Sequence, residues 1–221
     1  MGGKILFDLS SLNQMQLDAI REIGNIGAGH AATAISEMLG CTVEIDIPKA
    51  ELVSIYNLDS YYDDPRAGYA AVFASSDNDK PFNFMFLIRE ADVSKIVSML
   101  VAKQFGMEMD ASSMPQDMVE SALGETGNIL LGSFLNSVNG LLGISSGITT
   151  PSVTHDTLAS ILSVVSAMFG QYGDIALVTK TQLNVMPAGQ TQGQSESIDA
   201  NILMASEPDA LEMLLMKLGV I

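Results

Sequence analysis

The chain has 221 residues, enough to bury a sizeable core, and 48% of them are hydrophobic, which excludes an intrinsically disordered protein. Its net charge of −16, with only 10 Lys and Arg residues, argues against nucleic acid and against an anionic membrane surface as partners. Cys41 is the single cysteine, so no internal disulfide can form, and the first residues show no signal peptide; we expect a cytoplasmic protein.

The first predicted element is a long helix. Apolar residues recur at helical spacing from Leu12 to Met38, and Gly40 is a typical helix stop. A strand over 42–47 follows and is closed by Pro48, and residues 57–66 are predicted to form an acidic surface loop. Strands over 67–75 and 82–89 flank a turn-rich segment, which indicates a hairpin, and a helix over 92–104 comes next.

A second long helix is predicted from about Pro115 to the stop at Gly143. Its most apolar part lies in the stretch 129–148, which polar residues interrupt, so a buried core helix explains it better than a membrane span. A strand over 147–150 follows and is closed by Pro151. The rest of the chain is predicted to form, in order, a helix over 156–169, a strand over 174–185, a loop over 187–197, a strand over 201–205 and a helix over 207–218.

The two long helices are copies of each other. One offset of 103 residues aligns them without a gap as far as Pro48 and Pro151. The matched pairs are Glu22 and Glu125, Gly24 and Gly127, Asn25 and Asn128, Ile26 and Ile129, Gly29 and Gly132, Leu39 and Leu142, and Gly40 and Gly143. We therefore expect one domain over 1–221 made of two internal repeats, about 11–106 and 114–221. The predicted class is α+β: two pseudo-symmetric repeats share a mainly antiparallel sheet flanked by helices, with two long motif-bearing helices.

Each copy carries a polar face. At about 100° per residue, Asp18, Glu22, Asn25 and Gly29 fall within an arc of roughly 60°. The second copy repeats this layout with Ser121, Glu125, Asn128 and Gly132. An amide can orient a water molecule, a carboxylate can bind a cation, and a glycine leaves backbone open to close approach.

The simpler interpretation is the solvated face of an amphipathic helix. Each glycine costs about 1 kcal/mol relative to alanine inside a helix, so either close helix packing or the close approach of a partner must offset it. Gly24 and Gly127 are predicted to serve packing. Gly29 and Gly132 lie on the polar face, where the approach of a partner is the better explanation.

Other candidate residues stand alone in the sequence. His30 and His155 have no neighbours that would complete a zinc site or a catalytic triad, and we expect no metal site. Cys41 has no base near it in sequence and is predicted to be a small buried apolar residue.

The segment EIGNIGAGHAATAISEML, followed by VEIDIP, resembles the CheC family of chemotaxis proteins, relatives of CheX and FliY. The family motif is Asp or Ser, three residues, Glu, two residues, Asn, and both copies fit it completely. The resemblance implies a phosphatase that hydrolyses the aspartyl phosphate of the response regulator CheY. It implies that Asn25 and Asn128 orient the attacking water, that Glu22 and Glu125 pair with a lysine of the partner, and that Asp18 and Ser121 support docking. No cofactor of its own is expected, since Mg²⁺ would be bound by the receiver domain of the partner.

An alternative is a non-catalytic adaptor that binds CheD, a receptor-modifying glutamine deamidase, and couples it to phosphorylated CheY. Two intact motifs favour activity, since an adaptor gains nothing obvious from keeping both. A flagellar-switch role like that of FliY is less favoured, on the expectation that no further domain follows Ile221.

Overall fold

The computed structural model describes residues 12–79, 81–106, 110–169, 175–186, 196–206 and 208–221. The helices are α1 (Gln14–Leu39), α2 (Glu90–Phe105), α3 (Gln116–Leu142), α4 (Leu158–Phe169) and α5 (Pro208–Lys217). The strands are β1 (Thr42–Ser54), β2 (Gly68–Ser75), β3 (Phe82–Arg89), β4 (Ser152–Thr157), β5 (Ile175–Met186) and β6 (Glu196–Ser206). None of the helices within these ranges combines the length and the apolar character needed to cross a membrane.

The six strands form one sheet in the order β1-β5-β6-β3-β2-β4, and every neighbouring pair is antiparallel. The predicted α+β class is therefore confirmed. The sheet has an internal symmetry: each strand of the first half has a counterpart in the second, β1 in β4, β2 in β5 and β3 in β6. When each strand is replaced by its counterpart and the order is read from the opposite edge, the same order results. A duplicated half predicts this symmetry, while the two residue ranges given above for the repeats stay a prediction.

Alternating side chains along the central strands supply two cores, one on each face of the sheet. On one face Ala70, Val72, Phe84 and Phe86 pack with α1, α2, α3 and α5. On the other face Ala71 and its neighbours pack with α4 and with the 3-10 turns over Ile55–Asn57 and Asp59–Tyr61. Burial on both faces explains why β3 is apolar at nearly every position.

The ends of the long helices follow from their sequence. Asn13 caps α1 by accepting a hydrogen bond from the Gln16 amide, and the Gln16 side chain accepts one from the Asn13 amide. Gly40 and Gly143 end α1 and α3 in the left-handed conformation, with φ of 66° and 63°. A side chain there would be strained, so both glycines stop their helices as predicted.

Two predicted strands have different bounds in the structure. The strand expected over 147–150 is absent: only Ile148 forms an isolated bridge, with Ser76, and β4 begins after Pro151. Conversely, β1 does not end at Pro48 but continues to Ser54, with a register shift between Asp46 and Lys49. The described part of the sheet has β1 at its edge, where a strand tolerates a residue without an N–H group.

Two predicted loops also differ. The segment 57–66 was expected to be a solvated surface, but Leu58 and Tyr62 are 1% and 7% exposed and belong to the second core. That expectation was wrong for these two residues, because the 3-10 turns direct them under α4. The loop expected over 187–197 falls mostly outside the described residues, and β6 already begins at Glu196.

Candidate functional site

The motif residues lie on the exposed faces of α1 and α3. Asp18, Glu22, Asn25 and Gly29 are all exposed, and so are Ser121 and Glu125. Asn128 and Gly132 are half-buried. Among the described residues, the side chains of Glu22, Asn25, Glu125 and Asn128 form no hydrogen bond or ion pair. Each Glu–Asn pair is thus available to a partner.

Asp18 differs from the other motif residues because its carboxylate already has partners on its own helix. It accepts hydrogen bonds from Gln14 Nε2 at 2.8 Å and from Arg21 Nη1 at 3.0 Å. Its side chain is 59% exposed, so the Arg21 ion pair contributes little stability. The arrangement holds the carboxylate one turn before Glu22, in a position to support docking. Ser121, its counterpart, offers a hydroxyl without a charge.

The opposite faces of the two helices are packed through glycines. A β-carbon at Gly27 would lie 2.7 Å from Cδ2 of Phe134, so the Phe134 ring lies directly on the α1 backbone. A β-carbon at Gly127 would lie 2.9 Å from Cβ of Val72, which brings α3 onto β2. These contacts explain the two glycines by packing. Gly29 is different, because no heavy atom lies within 4 Å of a β-carbon built there.

The surroundings of the two motifs are not equal. A β-carbon at Gly132 would lie 3.9 Å from Cγ2 of Ile148, and one at Gly124 would lie 3.7 Å from Cγ2 of Val153. The beginning of β4 and the segment before it therefore border the second motif, on the helix that carries the half-buried Asn128. No signal in the sequence indicated this border, since it arises from a contact between separate elements.

Equivalent polar residues fix the segments that follow the two helices. Ser36 donates to the Val43 carbonyl at 3.3 Å and accepts from the Val43 amide at 3.0 Å. At the same offset of 103, Asn139 donates to the Ser146 carbonyl at 2.8 Å and accepts from Ser146 Oγ at 2.9 Å. Different side chains thus perform the same task in the two copies, and an alignment by residue identity does not reveal it.

The other candidates are not part of either motif face. His155 Nδ1 lies 2.9 Å from Glu90 Oε2, and its ring is mostly shielded from solvent. Cys41 is half-buried, and burial raises the pKa of its thiol, which makes it a weak nucleophile. In the part of the chain that the structure describes, no three His, Cys, Asp or Glu side chains are grouped closely enough to hold a metal ion.

Comparisons with known proteins agree with this fold. A family model described as the CheC-like family matches residues 15–51, which span the first motif. The CheY-P phosphatase CheC of Bacillus subtilis (strain 168) is 26% identical over 211 residues, which cover 95% of this chain and 97% of that protein. The flagellar motor switch phosphatase FliY of the same organism is 25% identical over 146 residues, 66% of this chain and 37% of that protein.

A solved structure extends the comparison to the fold. The crystal structure of Thermotoga maritima FliY matches with a TM-score of 0.68 and 20% identity, over 95% of this chain and 98% of that one. The resemblance inferred from the two Glu–Asn motifs is thereby confirmed by independent matches in sequence and in fold. The chain is thus similar in sequence to the CheY-P phosphatase CheC over nearly its whole length, and its fold is similar to that of Thermotoga maritima FliY.

Proposed function

We propose that this protein is a phosphatase of a phosphorylated CheY-like response regulator and hydrolyses its aspartyl phosphate. The observation that carries the proposal is the pair of Glu–Asn motifs, exposed except at the half-buried Asn128, whose side chains have no partner among the described residues. It is supported by the similarity, over nearly the whole chain, to a protein named as a CheY-P phosphatase.

The chemistry of the side chains fits this reaction. An acyl phosphate is already an electrophile, and the receiver domain binds Mg²⁺ itself, so the phosphatase has only to place a water molecule in line for attack. The amides of Asn25 and Asn128 can accept a hydrogen bond from that water and donate one to a phosphoryl oxygen. An amide orients water without acting as a base, as a glutamine does in GTPases.

Glu22 and Glu125 lie one turn before the asparagines, on the same face. A carboxylate there can pair with an ammonium group of the receiver and fix the position of the amide relative to the phosphoryl group. Gly29 follows one turn after Asn25 and leaves the helix backbone accessible to the partner, whereas its counterpart Gly132 is half-buried and bordered by Ile148. Asp18 and Ser121 complete the docking face at its other end.

The test is phosphate release from a phosphorylated CheY. We expect Asn25→Ala and Asn128→Ala together to reduce the stimulated rate by at least about a hundredfold, because the water loses its orientation. Each single variant should keep the activity of the other site. Asn136→Ala is the matched control, since Asn136 is an exposed asparagine of α3 outside the motif. Undiminished activity in the folded double variant would overturn the proposal.

Binding of CheD stays a prediction of the family resemblance. A pulldown with purified CheD, combined with phosphatase assays in its presence and absence, distinguishes an adaptor from an enzyme. An adaptor would retain CheD while neither asparagine variant changes the lifetime of the receiver phosphate.

A further inference from the structure

Both motif helices carry a large exposed apolar side chain in their first turn. Met15 of α1 is 65% exposed and Met118 of α3 is 47% exposed. The two methionines are equivalent at the offset of 103 residues. A single exposed methionine needs no explanation, but exposure at the same position of both copies indicates a shared role.

The methionines extend the motif faces. At about 100° per residue, Met15 lies within roughly 20° of Glu22 around the helix, and the whole set from Met15 to Gly29 spans an arc of about 80°. At a rise of about 1.5 Å per residue, Met15 lies roughly 10 Å along the axis from Glu22 and 15 Å from Asn25. Met118 has the same placement relative to Glu125 and Asn128. Each face thus presents an apolar group, a carboxylate and an amide in line.

A structural role does not account for the methionines. The start of α1 is fixed by the capping box of Asn13 and Gln16, and a hydrophobic staple at this helix start would join Leu12 to Leu17. Neither Met15 nor Met118 is part of the two cores of the described chain. Much of their apolar surface is therefore turned to solvent.

We propose that Met15 and Met118 are the apolar anchors of the two docking faces, and that each packs on an apolar patch of the phosphorylated receiver domain. This inference rests on the proposed function, and it assigns a positioning role: neither side chain would touch the reacting phosphoryl group. The net charge of −16 can steer a basic partner, but salt screens this attraction. An unbranched, polarisable side chain adapts to a partner surface and adds binding that salt does not screen.

The test replaces the apolar side chain with a polar one of similar length and helix propensity. Met15→Gln with Met118→Gln should raise KM for phosphorylated CheY by about tenfold and leave kcat within about twofold, because binding is lost and the chemistry is not. The dissociation constant for CheY activated with beryllofluoride and Mg²⁺ should rise by the same factor. Met216→Gln, at a 57% exposed methionine of α5, is the matched control and should change neither quantity.

Variants in which only one motif is active show whether each methionine acts on its own motif or on the protein as a whole. With Asn128→Ala, where only the first motif works, Met15→Gln should carry the whole rise in KM; with Asn25→Ala, Met118→Gln should carry it. If the wild type hydrolyses the phosphate but the methionine variants keep its KM and binding, the anchor role is refuted and the proposed function stands. If the wild type neither binds activated CheY nor hydrolyses its phosphate, both are refuted.

Discussion

Gly29→Ala should make the protein more stable and less active at once. Gly29 lies inside α1, is exposed, and has no heavy atom within 4 Å of the position a β-carbon would take. Alanine avoids the backbone entropy that glycine loses in a helix, and nothing opposes the new methyl group. The free energy of unfolding should therefore rise by about 1 kcal/mol.

The same methyl group would lie on the docking face, one turn after Asn25. A methyl group forced into a close contact costs about 1–3 kcal/mol, which corresponds to roughly five- to 150-fold in kcat/KM. The loss is measured by phosphate release from phosphorylated CheY in the Asn128→Ala background, where only the first motif can act. Urea denaturation of the same variant gives the change in stability.

Two other glycines provide the comparison. Gly140→Ala, at an exposed position of α3 with equally open surroundings, should stabilise the fold without loss of activity, since it lies about 18 Å along the axis from Asn128. Gly27→Ala should destabilise it, because the new β-carbon would lie 2.7 Å from the buried Phe134 ring. Overpacking of about 1–3 kcal/mol then outweighs the gain in helix propensity.

Two outcomes for Gly29→Ala would contradict these expectations. If Gly29→Ala gains stability and keeps full activity, the open backbone at this position is not needed for docking. If it loses stability, the helix surface around Gly29 is not open as the structure describes it.

Two further predictions concern side chains away from the motifs. Asn139→Ala should lower the free energy of unfolding by about 1–3 kcal/mol, because the buried amide makes two hydrogen bonds with Ser146. Urea denaturation checks this, and a loss no larger than that of Asn136→Ala would contradict it. The pKa of the Asp156 carboxyl is lowered mainly by the hydrogen bond from Ser160 Oγ. The pKa of Asp156 is therefore lower in the folded than in the unfolded protein. The ionised carboxylate contributes its full stabilisation at a pH above the pKa of the unfolded state, and this stabilisation is lost as the pH falls through the pKa of the folded state. Ser160→Ala should move the pKa of Asp156 back up in an NMR titration, and an unchanged titration would reject this cause.

Local signals in the sequence were sufficient for the helices and for the composition of the candidate site. Gly40 and Gly143 mark helix ends because only their neighbours on the chain matter there. The Glu22–Asn25 spacing predicts a shared face for the same reason, since helical geometry is local. The exposure of these residues agrees with that prediction.

Features that depend on contacts between separate elements could not be predicted. Residues 147–150 have the composition of a strand, but they form only an isolated bridge through Ile148, and the ladder with β2 begins at Ser152. Leu58 lies in a polar segment and is buried because it joins the second core, which combines residues of the sheet and of α4. The border that Ile148 forms beside Gly132 has the same origin. The periodicity of one helix cannot reveal which remote segment lies against it.

The order of the strands determines what would happen if the chain were cut. In the described sheet β1 pairs only with β5, and β4 pairs only with β2. A break between α2 and α3 would leave β1 without a neighbour from its own fragment and would do the same to β4. Two such fragments could complete the sheet only together, each supplying the strands that the other lacks. The covalent link between α2 and α3 thus replaces an association that separate halves would have to make in solution.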